Sequence, residues 1–296
     1  MSSNKFISGF KKHRVSILFS APFLILFFVF MVIPVAAALV LSLTQYDMYQ
    51  APKWVGLDNY LFLFLKDEIF IKCLKNSLVF GIVYAPASIV ICLIGAWFIS
   101  DFGPKTRAIL TFIFYAPTLT GGMAAIWQLI FSGDSYGFLN SILLKINVIS
   151  SPQQWLTNPK YMWTIWIIVS LWGCMGTGFL SFVAAFRGRD VSLYEAGAMD
   201  GIRSRLQELW YITLPIMKPQ LMFTALTSIS AGFTASSVMF GNPSTNYTVH
   251  TLVMHMTDYS GTRLELGVAS CFSVVMFVLM YGSNELFKKF LGKVGQ

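Results

Sequence analysis

Long apolar runs separated by short polar segments dominate the hydropathy pattern of this chain of 296 residues. A membrane-spanning helix needs about 20 predominantly apolar residues. The runs of sufficient length are 16–44, 77–100, 108–131, 161–185, 219–240 and 265–285. Asp, Glu, Lys and Arg are absent from these runs except for Glu265 and Glu285, at the ends of the last one. The pattern predicts an all-α integral membrane protein with six transmembrane helices.

Composition agrees with a membrane protein. Hydrophobic residues make up 56% of the chain, charged residues only 11%, and the mean hydropathy is +0.66. Soluble domains carry about 25% charged residues, so a soluble fold is excluded. Basic residues precede the first apolar run, as they do in signal peptides. This run, from Val15 to Thr44, is too long for a signal-peptide core, and we expect it to be retained as the first span.

Lysine and arginine are distributed unequally between the two sides of the predicted membrane domain. With the N-terminus inside, 14 of the 21 basic residues and six of the 13 acidic residues lie on the cytoplasmic side. Cytoplasmic loops favour positive charge, so both termini are predicted to be cytoplasmic. The net charge of +8 therefore indicates topology, and no soluble basic face suggests nucleic-acid binding. The predicted organisation is a basic tail at 1–15, a membrane domain at 16–285 and a C-terminal tail at 286–296.

A polar segment between the fourth and fifth spans, residues 186–218, is the most distinctive part of the chain. Asp200-Gly201 predicts a turn, because glycine adopts positive φ at little cost. Ser192 with Glu195 and Ser204 with Gln207 each fit the spacing of a capping box. The segment therefore predicts two short helices around a turn, a shape suited to docking a soluble partner. Leu206, Leu209, Trp210 and Thr213 share one face of the second helix.

Chemistry that could power or catalyse a reaction is missing from the sequence. It contains no phosphate-binding loop of the form G-x-x-x-x-G-K-[ST], and the predicted spans hold no mid-membrane charge of the kind used by ion-coupled carriers. The three histidines fall in the tail or an outer loop, where a solvated or interfacial role is expected. The four cysteines are scattered singly and suggest neither a disulfide framework nor a zinc site. We expect a non-catalytic chain that binds no cofactor.

The polar segment resembles the coupling loop of the permease subunits of bacterial binding-protein-dependent ABC importers. That loop follows the pattern E-A-A-x-x-x-D-G-A, then about a dozen residues, then L-P-x-x-x-P. The matching positions are Glu195, Ala196, Asp200, Gly201, Leu214, Pro215 and Pro219. Two positions depart from the pattern, because Gly197 replaces the usual second alanine and Ile202 replaces a small residue.

Further pieces, in the same order as in the sugar-permease branch of this family, extend the resemblance over most of the chain. Residues 54–60 resemble F-V-G-L-x-N-Y, and Phe70 with 76–78 is similar to F-x-x-A-L-x-N-T-L. Trp127 through Asn140 resembles W-x-x-L-F followed by G-x-x-N. Residues 241–243 with 251–253 are similar to G-G-P-x-x-x-T-x-T-L-V. The chain is identified on these pieces as a member of the maltose and oligosaccharide branch, as the first permease of a heterodimeric pair.

The resemblance implies a type I importer fold in the bacterial plasma (inner) membrane. Its implied partners are a second, different permease, two ATPase subunits that bind ATP and Mg²⁺, an extracellular or periplasmic solute-binding protein, carbohydrate and membrane lipid. ATP-driven closure of the ATPases would rotate the coupling loops and open the spans outward. Glu195 either pairs with a basic group of the ATPase or caps its own helix. Leu206, Leu209 and Trp210 are expected to pack back on the permease rather than on the partner.

The substrate path is expected on the fourth and fifth spans, which flank the coupling loop. Small and hydroxyl side chains there suit a neutral substrate such as a sugar, although helix packing alone would also use them. Sugar contacts of maltose-transporter relatives lie on the same two spans. The candidate path residues are Ser170, Cys174, Thr177, Thr227, Ser230 and Thr234, with Tyr115 and Trp127 of the third span as aromatics that could stack on a sugar ring or anchor the interface.

The sequence is also compatible with other functions. A membrane scaffold or sensor could recruit a cytoplasmic partner through the 186–218 loop and would need no polar route through its spans. An importer of a polyol or a glycerol-phosphate-type solute would share the same signatures. Half of an ion-coupled carrier is disfavoured by the lack of charge within the spans.

Overall fold

The computed structural model describes residues 14–119 and 123–293, and most of them form helices. The helices are α1 Arg14–Phe27, α2 Ile33–Leu41, α3 Asp58–Leu65, α4 Glu68–Ser100, α5 Pro104–Leu119, α6 Met123–Ile130, α7 Phe138–Lys145, α8 Pro159–Trp172, α9 Thr177–Arg187, α10 Val191–Met199, α11 Arg205–Glu208, α12 Leu214–Ile216, α13 Lys218–Phe233, α14 Leu252–Thr257 and α15 Leu266–Lys293. Short π-helical turns cover Phe28–Val32, Leu209–Thr213 and Asp258–Thr262, and 3₁₀ turns cover Val238–Phe240 and Thr245–Tyr247. Two-residue strands β1 Thr44–Gln45 and β2 Lys53–Trp54 pair antiparallel.

Four helical stretches in the described residues are long and apolar enough to cross a membrane, namely Leu18–Leu41, Glu68–Ser100, Lys218–Phe240 and Leu266–Lys289. Two bent helix pairs, α5 with α6 and α8 with α9, pass the same test together. The described chain thus has four to six candidate spans, and each predicted window coincides with one of them. The predicted basic tail lies mostly outside the described residues, and α15 continues to Lys293 through most of the predicted C-terminal tail.

Helix α4 begins at Glu68, nine residues before the predicted start of the span at position 77. Its first two turns are partly polar, so the hydropathy pattern did not include them. Asp67 caps it, since its carboxylate accepts hydrogen bonds from the backbone N–H groups of Ile69 and Phe70. A carboxylate at this position satisfies donors that lack an intrahelical partner and interacts favourably with the helix dipole. Hydropathy finds the membrane core of such a helix and misses the extension beyond it.

The chain divides into two compact units. The first comprises residues up to Leu63 together with Tyr259–Val274, and the second comprises Phe64–Asp258 with the residues from Val275 onward. In the first unit, the side-chain amide of Asn59 donates to the carbonyl oxygens of Ser42 and Thr44 at 3.0 and 2.8 Å. Gly267 packs so closely that a Cβ there would lie 2.1 Å from the Thr44 carbonyl oxygen. These contacts fix the chain where it leaves the first span.

Helix α4 is the centre of the second unit and packs against α13 and α9. One close approach to α13 joins two glycines, because a Cβ on Gly232 would lie 3.1 Å from the Cα of Gly81. Small residues at a crossing let helix backbones approach and gain van der Waals contact, which drives association in lipid. A second close approach lies between α9 and α13, where a Cβ on Gly178 would meet Thr224 at 2.6 Å.

The two candidate spans on either side of residues 186–218 are both interrupted. Helices α8 and α9 meet at an angle of 42° across residues 173–176, a segment that contains Gly173 and Gly176. Helix α13 ends at Phe233 and resumes as the 3₁₀ turn Val238–Phe240. Non-helical backbone at membrane depth is tolerated where it is buried in protein or lines a cavity. The backbone at the two breaks is therefore expected to be buried in protein or to line a cavity.

We predict that the Gly81–Gly232 crossing tolerates no added methyl group. Gly232→Ala should lower the melting temperature of the full-length chain in detergent, because the backbone of α4 cannot rotate away as a side chain could. The cost of such overpacking is about 1–3 kcal/mol. Gly282→Ala is the matched control, since no atom lies within 4 Å of a Cβ at that helical position. Equal melting temperatures for the two variants would contradict the prediction.

Candidate coupling loop and translocation path

The 186–218 segment forms the predicted pair of helices around a turn. Helix α10 ends at Met199, and Gly201 has a φ of +91°, a conformation that L side chains rarely adopt. The N–H of Ile202 then donates to the carbonyl oxygen of Gly197 at 2.9 Å and closes the turn. After Ser204, α11, the π-helical turn Leu209–Thr213 and α12 follow without interruption.

Capping of the two helices follows the prediction only in part. Ser204 and Gln207 form the predicted capping box. The other predicted box is wrong, because Asp190 rather than Ser192 caps α10, by accepting a hydrogen bond from the N–H of Ser192 at 3.0 Å. Hydrogen bonds from Ser192 hold the pKa of Asp190 below its usual value. The alternative in which Glu195 caps its own helix is therefore also wrong.

Close packing joins the two helices of the loop. A Cβ on Gly197 would lie 2.6 Å from Cδ1 of Ile212 and 3.3 Å from Cδ1 of Ile202. Gly197 and Ile202 are the two departures from the family pattern, and they are in contact. Ile212, and to a lesser extent Ile202, occupies the space left by the missing methyl. The hydroxyls of Tyr194 and Thr213 are hydrogen-bonded at 3.0 Å. These contacts make the loop one packed body.

A polar contact and an apolar contact attach this body to the membrane helices. Arg205 forms a salt bridge with Asp101, the residue that follows α4, and its guanidinium lies 5.3 Å from the ring centroid of Trp97. A half-exposed ion pair of this kind stabilises by about 0–1 kcal/mol, so its role is geometric. Leu209 packs against a core cluster built mainly from α4 and α9, as the apolar stripe predicted.

The outward surface of the loop carries most of the predicted coupling residues. Glu195, Ala196, Asp200 and Gly201 are exposed, as is Pro215, while Gly197 is buried and Leu214 is half-buried. Met199 is 88% exposed beside them, and the sequence reading missed it. The prediction that Leu206 and Trp210 pack back on the permease is wrong, because each is 68% exposed. An apolar face of this kind is available for contact with another protein.

A cavity of about 350 Å³ lies beside both helix breaks in the second unit. Four segments line it: α4, α6, α8 and the end of α13 with the residues that follow. The lining residues are Phe80, Tyr84, Ala124, Trp166, Val169, Ser170, Gly173, Ala231, Ala235, Ser236, Val238 and Met239. Its wall combines aromatic rings with small residues and two hydroxyls, and its volume falls in the usual range for small-molecule sites, about 300–1,000 Å³.

The aromatic part of the wall is an ordered stack. The rings of Phe80 and Trp166 lie 3.7 Å apart between centroids at an interplanar angle of 13°, and Tyr84 stacks on Phe80 at 5.3 Å. Phe80 and Trp166 are buried, so Tyr84 is the member with more accessible surface. The sequence reading missed all three, because aromatic residues within an apolar run cannot be told from lipid-facing residues without the helix contacts.

Only Ser170 among the predicted path residues lines this cavity. The hydroxyls of Thr227, Ser230 and Thr234 donate to carbonyl oxygens of their own helix. Thr177 is exposed at the start of α9, and Cys174 lies in the break beside the α4–α9 cluster, where its carbonyl oxygen accepts a hydrogen bond from the Cys92 thiol. The structure thus does not bring the predicted set together.

The two aromatic candidates of the third span lie in different places. Trp127 stacks on Phe131 at 5.5 Å and meets Trp172 edge-on at 5.3 Å, as a packed aromatic does. Tyr115 lines a second cavity of about 460 Å³. The wall of this cavity includes Arg107, near the start of α5, and Arg187, at the end of α9. Both arginines lie next to predicted cytoplasmic loops. Neither ring lines the cavity that holds Ser170.

The prediction that the outer histidines are solvated or interfacial is wrong for His250 and His255, since each is only 2% exposed. His255 contacts the carboxylate of Asp67 at 2.9 Å between Nε2 and Oδ2. Burial, reinforced by the neighbouring His255, lowers the pKa of His250 to about 4, so its ring is neutral near pH 7. The loop that carries His250 is held by the side-chain amide of Asn76, which donates to the carbonyl oxygens of Tyr247 and His250.

These features define a helical membrane protein with an interrupted, cavity-lining pair of spans and a packed two-helix loop. No protein-family model matches the chain. The probable ABC transporter permease protein YesP of Bacillus subtilis (strain 168) is 32% identical over 272 residues, which cover 88% of this chain and 85% of YesP. The lactose transport system permease protein LacF of Rhizobium radiobacter is 33% identical over 216 residues, 71% of this chain and 70% of LacF.

The chain belongs to the permease family of sugar ABC transporters. It is therefore a non-catalytic permease subunit of an importer, and it resides in the bacterial inner membrane. A solved structure of a bacterial ABC transporter involved in import of the acidic polysaccharide alginate has the same fold, with a TM-score of 0.76 and 21% identity over 96% of this chain and 99% of that one. A second structure, of the alginate transporter with a pentasaccharide-bound periplasmic protein, has a TM-score of 0.79, also at 21% identity, over 98% of this chain and 99% of that one.

We predict that residues 197 and 202 are energetically coupled. Ile202→Ala should lower the melting temperature less in a Gly197→Ala background than in the wild type, because the added methyl occupies part of the space that the isoleucine leaves. Coupling between contacting residues is typically about 0.5–3 kcal/mol. Gly188→Ala is the control background, since the nearest atom to a Cβ there is 3.7 Å away. Equal effects of Ile202→Ala in all backgrounds would disprove the compensation.

Proposed function

We propose that this chain forms half of the translocation pathway of an ATP-driven importer of a sugar or oligosaccharide. The observation that carries the proposal is the cavity of about 350 Å³ at the two helix breaks, lined by an aromatic stack and by Ser170 and Ser236. Aromatic faces stack on the apolar faces of sugar rings, and hydroxyls can bond to sugar hydroxyls. Among the described residues, no Asp, Glu, Lys or Arg lines the cavity, which favours a neutral substrate.

The proposed topology has six spans, each bent pair crossing once, with both termini cytoplasmic. Residues 16–285 are the permease domain, 1–15 a basic tail and 286–296 a short C-terminal tail. This orientation places the 186–218 loop on the cytoplasmic side, together with most of the positive charge, as expected for membrane proteins.

The proposed coupling surface consists of Glu195, Ala196, Asp200 and Gly201 with exposed Met199, and it docks in a surface cleft of an ATPase subunit. Glu195 pairs with a basic group of that subunit. Gly197 allows the two helices of the loop to pack closely. Leu214 and Pro215 lie in α12, where the loop leads into α13. Packing inside the loop and the Arg205–Asp101 contact let it move as one body with the adjoining ends of α4 and α13 when the ATPases close.

The proposed assembly contains a second, different permease, because the substrate path of one chain is a half site. Two ATPase subunits bind ATP and Mg²⁺, and this chain binds no cofactor. A periplasmic or extracellular binding protein delivers the carbohydrate. Relatives include permease proteins of lactose and arabinooligosaccharide transport systems, which supports a sugar substrate. The proposal includes no nucleic-acid partner.

Ser170 is the path residue that geometry supports, and Tyr84 joins it as the accessible ring of the aromatic stack. Cys174, Thr177, Thr227, Ser230, Thr234, Tyr115 and Trp127 stay predictions from sequence. The permease relatives do not favour a scaffold or sensor that recruits a partner through the loop. Their names do not favour an importer of a polyol or a glycerol-phosphate-type solute.

The coupling role predicts a specific defect for Gly201→Val in the reconstituted importer. A β-branched residue is strongly disfavoured at positive φ, so the turn between the loop helices should be displaced. Stimulation of ATPase activity by the binding protein should fall at least about tenfold, equivalent to roughly 1.4 kcal/mol, while the complex still assembles. Gly188→Val is the matched control, because Gly188 has an ordinary φ of −84°. Unchanged stimulation for Gly201→Val would favour the scaffold function.

The path role predicts that Ser170→Leu blocks transport and leaves the coupling loop intact. The larger side chain should fill the cavity, so uptake of radiolabelled substrate into proteoliposomes should fall at least about tenfold, roughly 1.4 kcal/mol of barrier, with ATP hydrolysis retained. Thr227→Val is the comparison variant, because Thr227 bonds its own helix and does not line the cavity. If Thr227→Val alone abolishes uptake, the path runs along the sequence-predicted hydroxyls and the cavity assignment is wrong. Unaltered uptake for both variants would reject a path through either.

A further inference from the structure

Cys73, His250 and His255 come together in the second unit, although they are far apart in sequence. One potential ligand atom from each residue lies within 4.8 Å of the others. All three side chains are buried: Cys73 is 0% exposed and each histidine 2%. A cluster of two imidazoles and a thiol is the ligand type that Zn²⁺ prefers. The cluster belongs to neither the coupling loop nor the cavity that holds Ser170.

His250 carries the strongest indication of a missing ligand. Its Nδ1 atom is buried and has no hydrogen-bond partner in the described part of the chain. A buried polar atom without a partner costs about 1–3 kcal/mol, and a ligand at this point would remove that cost.

Asp67 supplies the support that metal-bound histidines usually have. Its Oδ2 lies 2.9 Å from Nε2 of His255, and its Oδ1 accepts the two backbone N–H groups at the start of α4. Carboxylates in this position orient the imidazole and raise its basicity. The cap that starts α4 thereby also holds one candidate ligand, in the same helix that carries Cys73 two turns further on.

We propose that Cys73, His250 and His255 form a zinc site, with Asp67 as the orienting carboxylate and a fourth ligand from water. A tetrahedral site with bonds of about 2.0–2.3 Å has ligands roughly 3.4 Å apart. Side-chain movements of about 1 Å would therefore bring the three ligand atoms to that spacing from their present separation. Bound zinc would join the loop around His250 and helix α14 to the start of α4.

A purely structural role for the cluster explains less of the geometry. A buried Asp–His pair accounts for the contact between Asp67 and His255. It does not account for the unpartnered Nδ1 of His250, or for the thiol of Cys73 within reach of both rings. Each of these two features is explained by one shared metal ion.

The test uses the full-length chain without a histidine tag, purified in detergent, stripped with a chelator and reloaded with Zn²⁺ or Co²⁺. Equilibrium dialysis should give one Zn²⁺ per chain, and Co²⁺ should produce the visible bands of a tetrahedral site with a thiolate-to-cobalt charge-transfer band. That band should disappear in Cys73→Ser and persist in Cys92→Ser, the matched buried thiol. In His250→Gln, the thiolate-to-cobalt charge-transfer band should be strongly weakened or lost.

Asp67→Asn refines the test without removing the helix cap, because asparagine caps helices about as well as aspartate. Its Kd for Zn²⁺ should rise about 10- to 100-fold, the usual effect of losing an orienting partner. Absence of stoichiometric metal in the wild type would overturn the proposal, and that result needs no variant to fold. Persistence of the charge-transfer band in a folded Cys73→Ser variant would overturn it as well. Transport assays are not required, so the outcome is independent of the proposed function.

Discussion

The segments that connect the apolar spans contain buried backbone carbonyl groups, and each of these needs a hydrogen-bond donor. In this protein, the side-chain amides of buried asparagines are such donors. Asn59 bonds two carbonyl oxygens at the exit of the first span. Asn76 bonds two in the loop that carries His250. Asn140 is fully buried and bonds three more, while its amide oxygen accepts the indole N–H of Trp155. A buried carbonyl without a donor is costly, so these three side chains fix the chain between its spans and allow the spans to assemble.

The proposed function depends on two regions with opposite mechanical properties. The coupling loop is packed internally at Gly197 and is joined to the membrane helices by Arg205, so a partner can move it as a whole. The cavity lies where α8 and α13 end, and there the backbone hydrogen-bond ladder is interrupted. Rigid elements transmit displacement, and interrupted helices change direction at small cost. The same two candidate spans that flank the loop carry the breaks, which connects the loop to the cavity.

Sequence reasoning predicted the features that depend on local pattern. Apolar runs located the candidate spans, and Asp200-Gly201 located the turn between the two helices of the 186–218 loop. It failed where tertiary contacts decide: the hydroxyl of Thr227 bonds its own helix, Trp210 is exposed, and the outer histidines are buried. Hydropathy averages over a window and cannot detect a helix break at two glycines. Spacing rules for metal sites use ligands near in sequence, so they miss a thiol and two imidazoles brought together by folding.

The glycine crossing between α4 and α13 has a mechanical consequence. With no side chain on either Gly81 or Gly232, the two helix backbones approach each other directly at this crossing, and the crossing can serve as a fulcrum. At about 1.5 Å of rise per residue, α4 extends roughly 28 Å from Gly81 to its end at Ser100 and roughly 20 Å to its start at Glu68. A tilt about the fulcrum therefore shifts the end near the coupling loop by more than it shifts the opposite end, and in the opposite direction. Such a lever opens one side of a passage as it narrows the other.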